Sequence, residues 1–287
     1  MTSFLNALPG AVSQGLIWGI MAIGLYITYR ILDLADLTVD GSFCTGGVVC
    51  VMMIVNGWSV WTAMLCAFLA GILTQLGLWS VNLATMGMKA NTALNVNNYK
   101  LLVSLRYLQE VNKGTRPFYN HPIFVVGVVT VLVIAVLYWF FGTERGASIR
   151  ATGANEHMAR AQGINTNVNK VLGLALSNGL VAFAGALLCQ YQSYAEINMG
   201  RGAIVIGLAS VIIGEVAFGR LFRNFALKLL SVSFGAIIYY IVIQAVISLL
   251  KIDSNYLKLI SALIVAVFLA VPYWKEQYLH KTAKAGK

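Results

Sequence analysis

Residues 122–143 read PIFVVGVVTVLVIAVLYWFFGT, a run of 22 residues without a charged side chain. A helix rises about 1.5 Å per residue, so about 20 apolar residues suffice to cross the hydrocarbon core of a bilayer. Five further uncharged runs occupy residues 1–29, 43–88, 171–195, 229–250 and 259–274. A membrane β-barrel would instead show short segments of alternating hydrophobicity. The sequence therefore predicts an all-α, polytopic helical membrane bundle, with residues 1–287 forming a single domain.

Composition supports this class of protein and excludes others. Apolar residues make up 59% of the chain and charged residues 10%, whereas soluble domains carry roughly 25% charged residues. The net charge is +10, but the basic residues lie between apolar runs, which favours the positive-inside rule over nucleic-acid binding. The first apolar run lacks a basic n-region and a small-residue cleavage site, so it is predicted to be a span and not a signal peptide.

The distribution of basic residues predicts the topology of the second half of the chain. Eleven lysines and arginines lie in three connections, 143–170, 219–228 and the tail after residue 274, against three in the intervening turns. These connections are predicted to be cytoplasmic, which places the C-terminus in the cytoplasm. The chain is predicted to cross the membrane about eight times (8–9), at about 9–29, 41–56, 58–79, 122–142, 170–191, 202–219, 229–250 and 257–274.

The first half leaves two topologies open. Eight spans that end in the cytoplasm place the N-terminus there as well, yet Arg30 follows the first span and fits the cytoplasm better. An external N-terminus requires one more crossing before Pro122. The uncharged run 43–88 is comfortable for two spans and tight for three.

No constellation in the sequence indicates catalysis. The chain has no Gly-x-x-x-x-Gly-Lys-Ser/Thr phosphate loop, so it is not expected to hydrolyse ATP by that route. The four cysteines (Cys44, Cys50, Cys66 and Cys189) lie in apolar runs without metal-ligand spacing, and they are predicted to be core residues. We therefore expect no enzyme activity, metal or cofactor in this chain.

The predicted cytoplasmic loop carries an unusual segment, GASIRATGANEHMARAQGIN at residues 146–165. Asn155 is predicted to cap a short helix that Gly163 ends. Such a helix could lie among lipid headgroups or dock into a groove of another protein, where small residues permit close approach. Asn155, Ala159 and Gly163 are four residues apart, which predicts one narrow face of small residues.

This segment resembles the coupling loop of permeases in the branched-chain amino acid and ribose ABC importer superfamily. ILDLADLTVDGSF at 31–43 and LGLALSNGLVAFAGALLCQYQSYAEINMGRGAIVIGLASVIIGE at 172–215 resemble its tryptophan/tyrosine-type branch, whose members pair with lipid-anchored binding proteins. The resemblance covers about residues 1–55 and 65–275. Relatives carry about one more span near residues 65–75.

The resemblance implies a bacterial cytoplasmic-membrane importer with a separate ATPase. Two copies of that ATPase would bind ATP and magnesium, an extracytoplasmic binding lipoprotein would deliver the solute, and the permease would form a homodimer in the lipid bilayer. The docking residues that carry over are Arg150, Gly153, Ala154, Asn155, Ala159, Gly163 and Ile164.

Polar residues at membrane depth are costly and usually functional. Asp33, Asp36 and Asp40 have the spacing i, i+3, i+7, which would place them on one side of a helix near a junction of spans, or they could lie in a solvated loop. Ser42 is a further candidate for the solute path. The other candidates for a solute path are Asn178, Gln190 and Gln192, which could instead bridge helices. Glu215 is predicted to pair with Arg220 or Arg223 in a structural role.

A short internal echo, AVSQGL at 11–16 and ALSNGL at 175–180, would suit a transporter made of two matching halves. The function predicted is an ABC permease for an amino acid with an aromatic or hydrophobic side chain. The alternatives are an importer of a nucleoside or sugar, a secondary transporter driven by an ion gradient, and a membrane enzyme. The secondary transporter would leave the loop segment unexplained, and the enzyme would need a catalytic constellation.

Overall fold

A computed structural model describes residues 2–34, 36–73, 78–95, 98–112, 117, 120–219, 221–222, 224–250, 266 and 270. The helices are α1 (Thr2–Tyr26), α2 (Val39–Val55), α3 (Val60–Leu73), α4 (Leu78–Thr85), α5 (Leu105–Asn112), α6 (Pro122–Gly142), α7 (Glu144–Ala154), α8 (Glu156–Ala161), α9 (Thr166–Gln192), α10 (Ala203–Phe218) and α11 (Phe225–Leu250). A π-helical turn, Ile27–Ile31, extends α1. Two short strands, β1 (Asn91–Ala93) and β2 (Tyr194–Glu196), pair antiparallel.

Helices long and apolar enough to span a membrane are Leu5–Ile31, Pro122–Gly142, Thr166–Gln192 and Phe225–Ser248. The segments Val39–Val55, Val60–Ile72 and Ala203–Phe218 form shorter apolar helices. Each of the first seven predicted spans thus coincides with an apolar helix. The eighth predicted span, 257–274, lies almost entirely outside the described residues. The helical membrane bundle is confirmed, and the number of spans stays a prediction.

The bundle has two ends that its contacts define. The loop end carries α7 and α8, and the strand end carries β1 and β2. Helix α1 runs from the strand end to the loop end, because the Tyr191 hydroxyl donates to Gly10 O near its start and Ile31, at its end, packs on Gly153 of α7. Helix α9 runs the opposite way beside it. These two helices form the buried centre, while α6 and α11 expose much of their apolar surface.

Glycines let the central helices approach closely. A side chain at Gly46 of α2 would collide with the carbonyl oxygen of Ala182 in α9, and one at Gly185 of α9 would collide with that of Phe43 in α2. The two helices therefore pack backbone against backbone, as small residues permit in membrane bundles.

The uncharged run 43–88 forms one helix and a hairpin. Met64, near the start of α3, lies beside Gln190 at the strand end, whereas Gly71, near its end, packs on Asn178 in the middle of α9. Helix α4 then returns, because Asn82 reaches the Cys44 thiol of α2 and β1 follows at the strand end. Helices α3 and α4 therefore enter and leave at the same end, which agrees with the start of α1 at the strand end. Because α4 returns the chain to the strand end, it takes the place of the additional crossing before Pro122 that the sequence left open.

Candidate solute path and docking loop

The three aspartates between α1 and α2 do not share one helix face. Asp33 is exposed and has a positive φ of 53° after the π-helical turn. Asp36 is buried in an irregular segment, and Asp40 lies in the first turn of α2. The prediction that these residues share one helix face was therefore wrong, because it assumed one continuous helix. The helix is interrupted between residues 32 and 38, and this interruption is called the first break.

This first break is held to α9 by Asp36. One carboxylate oxygen of Asp36 accepts hydrogen bonds from the backbone N–H of Thr38 at 2.9 Å and from its hydroxyl at 2.6 Å. The other oxygen accepts from the Asn178 amide at 2.9 Å. Among the described residues, no lysine or arginine pairs with Asp36. A buried carboxylate without a cationic partner is costly to keep, which marks Asp36 and Asn178 as the strongest candidates for a solute contact.

A second break, at residues 197–202, separates β2 from α10. The two carboxylate oxygens of Asp40 accept from the backbone N–H groups of Gly202 and Ile204, each at 3.0 Å. These N–H groups belong to the start of α10, where orphan donors and the helix dipole favour a negative charge. Asp40 thereby caps α10 from α2. Its side chain has a structural partner and is a weaker candidate for solute contact than Asp36.

The two breaks belong to a repeated unit. Helix α2 begins at Val39 and α10 at Ala203, which are 164 residues apart, and the hexapeptides AVSQGL and ALSNGL begin at residues 11 and 175, also 164 apart. Each unit is a long helix, a break and a shorter apolar helix. Since α1 and α9 run in opposite directions, the units are inverted. Transporters commonly place their solute site where broken helices of inverted repeats meet.

Two buried polar atoms beside the breaks lack a partner within the described part of the chain. These are the Ser42 hydroxyl on α2 and the Asn198 side-chain oxygen in the second break. Buried polar groups are nearly always hydrogen-bonded, so each such exception needs an explanation. Contact with water or solute during transport would supply the missing bonds.

The two glutamines lie apart from this cluster. The Gln190 amide nitrogen lies 3.3 Å from the Cys50 sulfur and 3.0 Å from the Met64 sulfur, and its oxygen accepts from the backbone N–H of Leu102 at 3.0 Å. Gln190 therefore bridges elements at the strand end. Gln192, the last residue of α9, is half-buried. The structure does not bring either residue to Asp36 or Asn178.

Glu215 pairs with a different residue from those predicted. Its carboxylate lies 3.0 Å from the guanidinium of Arg30, so the ion pair joins α10 to the end of α1. The predicted partners Arg220 and Arg223 lie outside the described residues. The pairing with Arg220 or Arg223 stays a prediction, and the contact with Arg30 could not be foreseen because sequence proximity carries no information on a contact made across the inverted units.

The loop of residues 143–170 folds as two short helices. The Asn155 side chain accepts from the backbone N–H of Met158 at 3.0 Å and caps α8. Gly163 has a φ of 78° just after α8, a conformation that favours glycine. Both predicted helix signals are therefore confirmed, although a separate helix, α7, precedes Asn155.

Burial within this loop corrects the predicted docking face. Ala159 is only 4% exposed because it packs against the protein's own chain, whereas its neighbour Met158 is 64% exposed. Gly153 packs against Ile31, since a side chain there would collide with the Ile31 carbonyl. The stripe of Asn155, Ala159 and Gly163 is thus not one exposed face. The inward-facing side of this helix could not be predicted from its sequence, because its small residues do not separate into an apolar face and a polar face.

The remaining carried-over residues lie at the loop surface or beside it. Ala154, Asn155 and Gly163 are exposed, Ile164 is half-buried, and Arg150 lines a cavity between α1, α7 and α11. The exposed surface that can meet a partner is therefore formed by Ala154, Asn155, His157, Met158, Ala161, Gln162 and Gly163.

Polar contacts tie the loop to α9. Glu156 lies 2.6 Å from both Arg160 and Lys170, and the Asn169 amide donates to the Thr152 hydroxyl at 2.9 Å. The hydrogen bond from Lys170 is the main cause that lowers the pKa of Glu156 below its ordinary value. These contacts can transmit a displacement of the loop to α9, whose Asn178 lies at the first break.

Comparison with known proteins gives consistent matches along the chain. Residues 8–272 match the family described as the permease component of branched-chain amino acid transport systems. The chain is 30% identical to the tyrosine transport system permease protein of Clostridioides difficile (strain R20291), over 93% of this chain and 91% of that protein. It is also 30% identical to an uncharacterized protein of Rickettsia prowazekii (strain Madrid E), over 93% and 98%.

A more distant match covers less than half of the chain. The ribose import permease protein of Escherichia coli (strain K12) is 30% identical over 46% of this chain and 44% of that protein. No solved structure matches the chain.

Proposed function

The chain belongs to the family of permease components of branched-chain amino acid transport systems, and we propose that it is the membrane-spanning subunit of a binding-protein-dependent ABC importer. In this proposal a separate ATPase binds ATP and magnesium, and an extracytoplasmic binding lipoprotein delivers the solute. The observation that carries the proposal is the pair of inverted units, in which Asp36 joins the first break to Asn178 of α9 and Asp40 joins α2 to the second break. The solute would pass along these breaks.

The loop end lies in the cytoplasm in this proposal. The basic residues of the 143–170 loop and Arg30 at the end of α1 support this side, because positive residues accumulate in cytoplasmic connections. The strand end, with the N-terminus and the β1–β2 pair, would then face the binding protein. The side of the tail stays a prediction because the tail lies outside the described residues.

We assign the ATPase-docking role to the exposed surface around Met158. The α8 helix is short, capped at both ends and tied to α9, so it can act as a rigid element between the ATPase and the first break. An exposed methionine adapts its shape to a partner surface. Two such loops, one from each copy of a homodimer, would match the two ATPase subunits.

A homodimer would also cover an exposed apolar residue of the first break. Leu37 is 81% exposed although it directly follows the buried Asp36. A second copy packed over this face by two-fold symmetry would bury both Leu37 side chains and place the two paths together.

The proposed solute is an amino acid with an aromatic or hydrophobic side chain. The support is the similarity to a permease named for tyrosine transport over nearly the whole length of both chains. The start of α10 is already occupied by Asp40, so it does not offer its N–H groups to a solute carboxylate. A nucleoside or a sugar stays an outcome of the test, since a ribose permease is a partial relative.

Uptake into proteoliposomes tests the assignment. The permease is reconstituted with the ATPase and the binding protein, and labelled tyrosine, leucine, a nucleoside and ribose are compared. We expect uptake of an amino acid only when ATP and both partners are present. Uptake by the permease alone on a proton or sodium gradient would contradict the importer assignment, and uptake of ribose or nucleoside would overturn only the solute.

Neighbouring substitutions test the docking surface. We expect Met158→Arg to reduce co-purification of the ATPase at least tenfold while the permease stays folded, because it places a long charged side chain on the docking face. Ala159→Arg should instead lower folded yield, because the side chain has no space beneath α8. If Met158→Arg retains the ATPase and uptake, α8 is not the docking element.

A further inference from the structure

A cavity of about 340 Å³ at the loop end is lined by basic side chains. It lies between α1, α7 and α11, and its lining includes Arg30, Arg150 and Lys228. Arg30 is paired with Glu215. Among the described residues, no carboxylate lies within 4.0 Å of the charged groups of Arg150 or Lys228. Within the described part of the chain, the cavity therefore carries two positive charges without a carboxylate partner.

A second cavity, of about 530 Å³, adjoins the first. The two share Arg150 and Phe225, and the second is also lined by Tyr138, Trp139 and Asn224. Trp139 is 71% exposed and Tyr138 half exposed. Tryptophan and tyrosine favour the boundary between headgroups and acyl chains. Above them the exposed side chains of α6 (Val131, Leu132 and Val136) form an apolar face.

We propose that the two cavities together bind one anionic phospholipid. Its phosphate would accept hydrogen bonds from Arg150 and Lys228 and be attracted by their positive charges. Its glycerol backbone would lie beside Tyr138 and Trp139. Its acyl chains would follow the exposed face of α6. Basic pockets between helices on the cytoplasmic side of a membrane are suited to anionic headgroups. The proposal rests on the membrane-spanning fold and needs neither the solute nor the ATPase to be correctly assigned.

The continuity of the charged and apolar surfaces favours a lipid over an acidic segment of the ATPase. Arg150 stands where the basic cavity meets the aromatic one, and the latter opens onto apolar α6. An acidic protein segment would need no such apolar continuation. Met158, the most exposed large apolar residue of the docking loop, is not part of either cavity.

Native mass spectrometry of the purified permease alone tests the site. Phosphatidylglycerol and phosphatidylcholine with the same acyl chains are titrated, and the occupancy of the first bound lipid is measured. We expect wild type to prefer phosphatidylglycerol. Each basic residue near a membrane contributes about a fivefold change in anionic lipid affinity, so Arg150→Gln or Lys228→Gln should weaken binding about fivefold and the double variant about 25-fold.

Arg145→Gln is the matched control, because Arg145 is an exposed arginine in the same helix that lines neither cavity. It should keep the affinity of wild type. All variants should unfold at the wild-type temperature in detergent, since the replaced side chains are exposed.

Four results would overturn the proposal. These are equal binding of both lipids, equal effects of Arg145→Gln and Arg150→Gln, displacement of phosphatidylglycerol by millimolar inorganic phosphate, and loss of ATPase co-purification in the double variant with unchanged lipid affinity. The third result would assign the site to a free anion and the fourth to the ATPase. None of the four bears on which solute the importer carries.

Discussion

The first break, residues 32–38, is held by side chains, whereas the second, residues 197–202, is held through its backbone. Asp36 accepts hydrogen bonds from Thr38 in the first break and from Asn178 of α9, and Asp40 accepts from the backbone N–H groups of Gly202 in the second break and of Ile204 in α10. Both carboxylates belong to the first unit. The positions 164 residues later carry Gly200 and Ile204.

This difference shows that the two units have the same order of helices and breaks but different side chains at equivalent positions. The first unit supplies both carboxylates, Asp36 and Asp40. The second unit supplies a glycine, Gly200, that lets the chain pack closely enough for Asp40 to reach the start of α10. A side chain at Gly200 would collide with the Asp40 carbonyl oxygen. Asp40 is therefore expected to be structural and Asp36 to serve transport, and the predictions below separate the two.

The largest effect is expected at Gly200. Gly200→Ala places a methyl group against the backbone of Asp40 and should cost about 3 kcal/mol of unfolding free energy, the upper range for overpacking. The free energy is measured by SDS titration in mixed micelles. Gly127→Ala in α6 is the control, since a methyl group there would meet no described atom within 4 Å beyond its chain neighbours and the backbone of its own helix. A Gly200→Ala protein as stable as that control would show that the breaks are not closely packed.

A smaller loss is expected when the cap on α10 is removed. Asp40→Ala leaves two N–H groups without their acceptor and should cost about 2 kcal/mol, within the range for helix caps and charged hydrogen bonds. Asp40→Asn keeps one acceptor oxygen and should cost about half as much. The same titration measures both variants. Equal stability of Asp40→Ala and wild type would remove the structural role assigned to Asp40.

At Asp36 the expected change in stability is smaller still. Asp36→Asn removes a buried charge that has no cationic partner among the described residues, so the unfolding free energy should change by less than about 1 kcal/mol. ATP-driven uptake should nevertheless fall at least tenfold. Uptake and SDS titration are measured on the same preparation. Normal uptake with lowered stability would reverse the roles proposed for Asp36 and Asp40.

The smallest effect concerns the loop, away from both breaks. The hydrogen bond that Lys170 donates to Glu156 lowers the pKa of this carboxyl group below its ordinary value of 4.5. The contact therefore stabilises the folded loop above pH 4.5, and this stabilisation is lost as the pH falls through the lower pKa of the folded state. Amide hydrogen exchange in residues 156–164, corrected for intrinsic rates, should be slower in wild type than in Glu156→Gln at neutral pH. The two rates should converge only below the ordinary pKa. Convergence at higher pH would contradict the assigned ion pairs.

Much of the fold could be predicted because hydrophobic runs and helix signals are local. The apolar helices, the Asn155 cap and the Gly163 stop all follow from adjacent residues. The α3–α4 hairpin could not be predicted, because a 46-residue apolar run has the same composition whether it crosses or returns.

The candidate site was harder to predict because its contacts are distant in sequence. The bonds from Asp36 to Asn178 and from Arg30 to Glu215 each join residues of different units. The repeated offset of 164 was visible only in one hexapeptide until the helix starts were located. Ser42 was a sequence candidate without a pattern of its own, whereas the structure shows that its buried hydroxyl has no hydrogen-bond partner among the described residues.

Thiol accessibility at Ser42 tests most directly whether the breaks form the solute path. Ser42→Cys is treated with a small charged methanethiosulfonate during ATP-driven uptake, and wild type, whose native thiols are buried or half-buried, gives the background. Ser210→Cys is the control, because Ser210 is equally buried but bonds to Ile206 O at 2.8 Å within α10. We predict that Ser42→Cys is modified during turnover, with loss of uptake, and that Ser210→Cys is not. Equal, background-level labelling of both variants with uptake intact would contradict a path along the breaks.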